Sequence, residues 1–349
     1  MSSTDMTPTE SSAQVAGAAL RARRRSAWLV FLEAAVVLAL ICCASLLFGV
    51  RDLDAATVWQ ALTSPVAENV DHMVVLQQRV PRTLIGLAAG VALGVAGVVI
   101  QGVTRNPIAD PGLLGVNSGA SLAVVLAIQF LGVSSALGYI WFAFAGAAAA
   151  AVVVFSFGHA RPVQLALVGA ALVAFITPLI TLVLLRDQTA FNSYRFWVVG
   201  ALTGRDLRAL AWMLPFLAVG IGIAAFLAHR LNGLALGDDV ARGLGQDVRI
   251  TRALSAVAIV LLCGVAVSLA GPIALVGLVV PHAARRLVGS NHHLTTALAI
   301  LLGPIMLLLA DVIGRLVVTN SELEAGVVAA FLGAPVLVAV ARGRTVVGL

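Results

Sequence analysis

The sequence predicts an all-α, polytopic membrane protein with about ten membrane-spanning helices. Three observations predict it. Hydrophobic residues make up 60% of the 349 and charged residues only 11%, and mean hydropathy is +1.04. A soluble domain carries roughly 25% charged residues, so too few are present to coat a water-facing surface. The apolar residues also fall into long runs, close to the roughly 20 residues a helix needs to cross hydrocarbon. Finally, the runs are continuous. Strands of a transmembrane barrel alternate every second residue, so helices are the remaining way to satisfy the backbone in lipid.

Taken in order, residues 1–27 read as a polar, basic tail, ending in Arg21, Arg23, Arg24 and Arg25. Residues 28–349 read as a single transmembrane domain. Its expected spans are 28–50, 82–103, 113–131, 138–157, 163–185, 209–230, 250–270, 272–288, 294–318 and 325–341. The first run exceeds a signal-peptide core of about 7–15 residues, so it is expected to be a retained helix. Gly271-Pro272 divides the seventh span from the eighth. Gly86, Gly90 and Gly94 form a double GxxxG in the second span, a pattern that lets helix backbones approach closely in lipid. Gly146 among alanines does the same in the fourth.

Ten spans put both termini on one side. Arg51, Arg79, Arg82, Arg186, Arg195, Arg205, Arg208 and Arg315 then fall on the other, and the remaining fourteen arginines lie with the termini. The positive-inside bias makes the termini cytoplasmic. The arginines are scattered between apolar runs and form no continuous basic stripe, which argues against nucleic acid.

What the spans lack is informative. Ion-coupled transporters place ionisable groups near the midplane, and nearly every span here is uncharged at its centre. Glu33 lies near one end of the first span. Asp311 and Arg315 lie four apart near one end of the ninth, with the acid first, the favoured order for a helical ion pair. An ion-coupled secondary transporter is therefore disfavoured. Every basic residue is arginine and lysine is absent. A GxxxxGK[ST] phosphate loop needs that lysine, so any ATP-binding site must sit on another chain. HExxH and GxSxG signatures are missing too. His282, His292 and His293 read as interfacial polar residues. Cys42, Cys43 and Cys263 lie in apolar runs and read as small packing residues. No metal site, catalytic residue or cofactor is expected.

Several ordered segments resemble the iron-siderophore and vitamin B12 permease family of ABC importers. The first is Arg79-Val-Pro-Arg82, running on to Gln101-Gly102 and Arg105-Asn-Pro-Ile-Ala-Asp-Pro-Gly-Leu-Leu-Gly-Val-Asn117. The second is Arg195-Phe-Trp-Val-Val-Gly-Ala-Leu202. The third runs from Leu236-Gly-Asp-Asp239 through Gly243-Leu-Gly245. The fourth joins Ala270-Gly-Pro-Ile273 to Gly277-Leu-Val-Val-Pro-His282 and Arg285. The last joins Ala310-Asp311 and Arg315 to Gly333-Ala-Pro-Val336. Together they cover roughly residues 28–341.

The resemblance implies a type II importer permease with ten helices per subunit. It implies a second permease subunit, identical or a paralogue, two ATP-binding subunits and an extracytoplasmic binding protein. Leu236, Gly237, Asp238, Asp239, Ala241, Arg242, Gly243, Leu244 and Gly245 match the segment that couples to the ATPase. There, Asp238 or Asp239 is expected to cap a short helix. Arg79, Arg82 and Arg315 match arginines that dock the binding protein, for which the planar guanidinium suits carboxylates. Arg161, Pro162 and Val163 fall where the cytoplasmic gate is expected, and the span bearing Thr177-Pro178 is expected to line the pathway. A caged iron complex needs no protein ligands, which agrees with a pathway poor in His, Cys and carboxylate. Closest is the ferric-siderophore branch; cobalamin and haem are the alternatives.

Overall fold

The computed structural model describes residues 10–133, 135–157, 162–204, 206–318 and 321–342. Ten helices carry the expected spans: α1 (Glu10–Leu47), α4 (Val80–Thr104), α5 (Val116–Leu131), α6 (Ala136–Phe157), α7 (Pro162–Leu184), α9 (Leu207–Ala235), α11 (Val248–Ala270), α12 (Val276–Val288), α13 (His292–Val317) and α14 (Ala325–Arg342). Between them lie the short helices α2 (Ala55–Thr63), α3 (Val70–Val74), α8 (Gln188–Val198) and α10 (Asp238–Gly243). Among the described residues, seven helices are long and apolar enough to cross a membrane, and Val116–Leu131 and Ala325–Ala339 are shorter apolar helices. Helix α1 starts ahead of its apolar stretch, Ala27–Leu47, through a segment rich in Ala and Arg, both strong helix formers.

The remaining span is broken. Helix α12 has 13 residues, about 20 Å of rise, too short to cross alone. The chain enters it through Gly271 at φ +75° and Leu275 at φ +69°, with Pro272 between them unable to donate to a helix. The expected division at Gly271-Pro272 is thus a stretch of non-helical backbone, with Gly271 and Ile273 buried and Ala274 exposed.

Helix α4 is the hub. Over its most apolar window 83% of residues are buried, against 11% for α1 and 17% for α7. Its glycine stripe explains why. A methyl group on Gly90 would lie 2.6 Å from the Pro304 backbone, and one on Gly94 would lie 2.8 Å from the Ala299 carbonyl. One turn on, Gly97 abuts the Gly277 backbone of α12. The double GxxxG therefore seats α4 directly on α13 and α12, backbone against backbone. Gly119 of α5 and Gly146 of α6 make a second such crossing. Dispersion contacts at this range replace the hydrophobic drive that lipid cannot supply.

Between α3 and α4 the helix widens into a single π turn, Val75–Arg79, just ahead of Pro81, which lacks the N–H that an ordinary turn would use. The turn aims Arg79 sideways toward the end of α1.

Candidate functional site

The motif residues gather at three levels along α4. At its C-terminus Arg105 adopts the left-handed conformation, φ 49°, which ends the helix; Pro107 prevents its resumption. Beside it α9 ends, and Gly237, at φ +110°, turns the chain into α10. The cap of α10 is Gly237, without a side-chain bond. Asp238 and Asp239 instead occupy the first turn, where the helix dipole favours acids. Asp238 bridges two arginines from different elements: Oδ1 accepts from Arg105 at 2.9 Å and Oδ2 from Arg252 of α11 at 2.8 Å. Asp239 pairs within the helix with Arg242. Ala241 is fully buried. Val240 of this helix, Leu236 at the end of α9 and Leu244 at the C-cap of α10 are 47%, 65% and 63% exposed, so exposed apolar side chains lie on and beside the short helix that Asp238 anchors. Gly245, at φ +76°, leads out of the segment, and Asp247 caps α11 through the Arg249 and Ile250 amides.

One level deeper, Gln101 is buried and fastens three pieces of chain. Its Nε2 donates to the carbonyls of Ala109, Gly277 and Leu278 at 3.2–3.3 Å, and its Oε1 accepts from Arg285 at 2.6 Å. Asp110 caps the 3-10 turn Pro111–Leu114 through the Gly112 amide and packs beside Gly277. The Gln101–Asn117 motif and the Gly277–Arg285 motif are thus two sides of one contact. The sequence places Gln101 in the first motif without a role; its four partners lie 8 to 184 residues away.

At the other end, about 37 Å along α4, Arg79, Arg82 and Arg315 come together, all buried. Asp311, fully buried, accepts from Arg82 Nε and Nη2 and from Arg315 Nη2 at 2.7–3.0 Å. Arg82 Nη1 donates to Glu322 at 2.7 Å. Arg315 also donates to the Ser45 and Phe48 carbonyls, and Arg79 to those of Leu46, Leu47 and Arg51. The Ser45, Leu46 and Leu47 carbonyls end α1, where a helix leaves its last acceptors unsatisfied, and those of Phe48 and Arg51 follow it. Asp311 and Arg315 do form the expected helical pair, and Arg82 makes it a triad. Three arginines against Asp311 and Glu322 leave a net charge of +1. Nearby, the Arg195–Leu202 motif meets the Gly271-Pro272 break: a methyl on Gly200 would lie 2.7 Å from the Pro272 carbonyl, and Gly200 accepts from the Gly326 amide at 2.9 Å.

The gate segment Arg161, Pro162 and Val163 falls outside what is described: Arg161 is not described, and Pro162 and Val163 open α7 without described side chains. Pro178 lies inside α7, where Thr177 and Thr181 bond to carbonyls one turn back. Among the described residues, no group of three or more His, Cys, Asp or Glu could hold a metal ion.

This geometry has close relatives. The FecCD transport family matches residues 37–343. The chain belongs to this family. It is 44% identical, over 86% of its length and 91% of the relative's, to the ferric enterobactin transport system permease protein FepD of Escherichia coli (strain K12). It is 35% identical, over 91% and 96%, to the probable siderophore transport system permease protein YfiZ of Bacillus subtilis (strain 168). A metal-chelate type ABC transporter solved in an inward-facing conformation superposes with a TM-score of 0.78 at 28% identity, covering 90% of this chain and 98% of that one. In this FecCD permease the broken α12 and the glycine crossings form the scaffold, and three polar levels lie along α4.

Proposed function

We propose that this chain is the transmembrane permease subunit of an ATP-driven ABC importer that carries ferric-siderophore complexes across the cytoplasmic membrane. The observation that carries the reading is α10. A short helix held by Asp238 to α4 and α11, with exposed apolar side chains on and beside it, suits a coupling element waiting for a partner. The partner is an ATPase subunit, because a chain without lysine cannot hold its own phosphate loop. Two such ATPases serve two permease subunits. The exposed apolar residues of α7 and α14, Phe175 and Phe331 among them, suit a second permease copy or paralogue and the pathway between them. The α10 end is then cytoplasmic, with both termini, in keeping with the arginine bias, and residues 28–349 act as one domain.

At the opposite end, docking at Arg79, Arg82 and Arg315 takes a specific form. Arg79 and Arg315 spend their donors on α1 carbonyls and Asp311 and position the site. Arg82 Nη1 faces Glu322, whose side chain is 28% exposed. A carboxylate on an extracytoplasmic binding protein docks by exchanging with Glu322 on Arg82. The siderophore cargo is supported by the names of the relatives, ferric enterobactin and siderophore permeases.

Uptake of radiolabelled ferric enterobactin, a ferric hydroxamate and cobalamin in a strain lacking the chain tests the reading. Iron uptake restored by the wild-type chain and lost in Val240→Glu supports it. Restoration of cobalamin uptake alone refutes the cargo, and full iron uptake by Val240→Glu refutes coupling through α10.

A further inference from the structure

A cavity of about 1330 Å³ opens at the α10 end, between α1, the end of α9 and the turn joining α12 to α13. Its two walls differ. One is basic: Arg285 and Arg286 end α12, and the 26-residue α13 points its N-terminus at the same turn. The other is apolar, built from Trp28 and Phe31 of α1. Among the described residues, no acid lines the cavity.

Arg285 is the anomaly. It is 3% exposed, and only its Nη2 is bonded, to the neutral Gln101 side chain. Its Nη1 is buried with no partner. Among the described residues, neither Arg285 nor Arg286 has a carboxylate within ion-pair distance. A buried cation without a counter-charge is costly, and every arginine at the two levels described above that approaches an acid is satisfied by it. Among the described residues the recess is thus positive, with a buried Nη1 donor that no protein group satisfies. The helix N-terminus adds to the attraction.

The apolar wall says what kind of anion. Helix α1 is the least buried span, and Trp28 is 75% exposed at the start of its apolar stretch. A Trp there marks the membrane interface. A soluble phosphate would use the arginines but gain nothing from Trp28 and Phe31. We propose that this cavity binds an anionic glycerophospholipid, its phosphate on Arg285 and Arg286 and its glycerol and upper acyl chain against Trp28 and Phe31. The bound lipid wedges α1 against the α12–α13 turn, next to Leu236 of the coupling segment, so occupancy reports on the leaflet that the coupling machinery faces.

The full-length chain, purified in mild detergent, is titrated with phosphatidylglycerol, phosphatidylcholine and inorganic phosphate, with retained lipid read by native mass spectrometry and folding by thermal melting. Phosphatidylglycerol is retained and raises the melting temperature; phosphatidylcholine and phosphate do neither. The exposed variant Arg286→Gln folds normally and weakens retention about fivefold, the loss expected for one basic group at a membrane surface. Trp28→Ala also weakens it. Stabilisation by inorganic phosphate equal to that by the lipid overturns the lipid assignment. Unchanged retention in both variants overturns the site. So does an Arg286→Gln protein that keeps its lipid and loses only its ATPase partner, since the recess would then belong to that protein.

Discussion

The two ends of α4 carry similar ingredients in opposite settings. At one, Asp311 holds Arg82 and Arg315, with side-chain exposures of 0%, 8% and 2%. At the other, Asp238 holds Arg105 and Arg252, with exposures of 23%, 33% and 20%. Both are one acid between two arginines from different elements. The dry triad sits where α1, α4 and α13 converge, and water cannot compensate any member that loses its partner. The wet triad sits under a helix of six residues and is screened by solvent. The first geometry fixes; the second permits motion. The coupling role proposed for α10 requires motion between two states, and a helix held by weak, exchangeable pairs allows it.

The sharpest break in this comparison comes from neutralising each acid. Asp311→Asn strands two buried guanidinium groups and is expected to destabilise the fold by about 3–5 kcal/mol. Asp238→Asn removes two part-exposed pairs and is expected to cost about 1 kcal/mol. Thermal melting of the two purified variants measures both. Equal losses would dissolve the distinction between the ends. Next in size is Gly90→Ala. Its methyl group meets the Pro304 backbone at 2.6 Å, and overpacking there is expected to cost about 1–3 kcal/mol. Gly222, whose added methyl would meet nothing within 4 Å, is the control; Gly222→Ala is expected to gain slightly, as helix propensity dictates.

The wet end has a functional counterpart. Asp238→Asn is expected to keep most of its folded yield and lose uptake, because α10 is no longer held to α4 and α11. Uptake measured against membrane-inserted protein separates the two effects. Uptake falling only in proportion to yield would make Asp238 a packing residue.

How much of this was legible beforehand follows from the range of each interaction. The ten spans, the break at Gly271-Pro272 and the Gly86–Gly94 stripe are local patterns; nine of the helices fall within a few residues of their expected places, and α1 starts well ahead of its expected span, at Glu10. Asp311 and Arg315 are four apart and were paired from sequence. Arg82 joins Asp311 across 229 residues, and Asp238 joins Arg105 across 133; no spacing rule reaches that far. The capping role expected for Asp238 or Asp239 went to Gly237 because its positive φ makes the turn, which freed Asp238 for the arginines. Gln101 stood in a quoted motif without a role, since a lone amide in an apolar helix carries no sign of what it will fasten. The same limit applies to Glu322, which sits outside every motif and still completes the cluster at Arg82.

Glu322 offers the smallest and most discriminating effect. Its carboxylate is part-exposed and reaches Arg82 Nη1 at 2.7 Å, with Thr203 at 3.5 Å. If a binding protein docks by placing its own acid on Arg82, Glu322 competes with it. Glu322→Gln weakens the competitor, and docking should tighten about threefold, the ratio that a part-exposed pair of roughly 0.6 kcal/mol implies. The gain should shrink as salt rises, since screening already weakens the part-exposed Glu322–Arg82 pair that the substitution removes. The fold should hardly respond, because Asp311 still satisfies Nε and Nη2 of Arg82. Binding of the purified binding protein to the reconstituted chain, at low and high salt, reads all of this. Weaker docking in Glu322→Gln would mean that Glu322 orients Arg82 rather than competing for it, and the cluster at this end would then be a brace for α1 and α13 with no part in recognition.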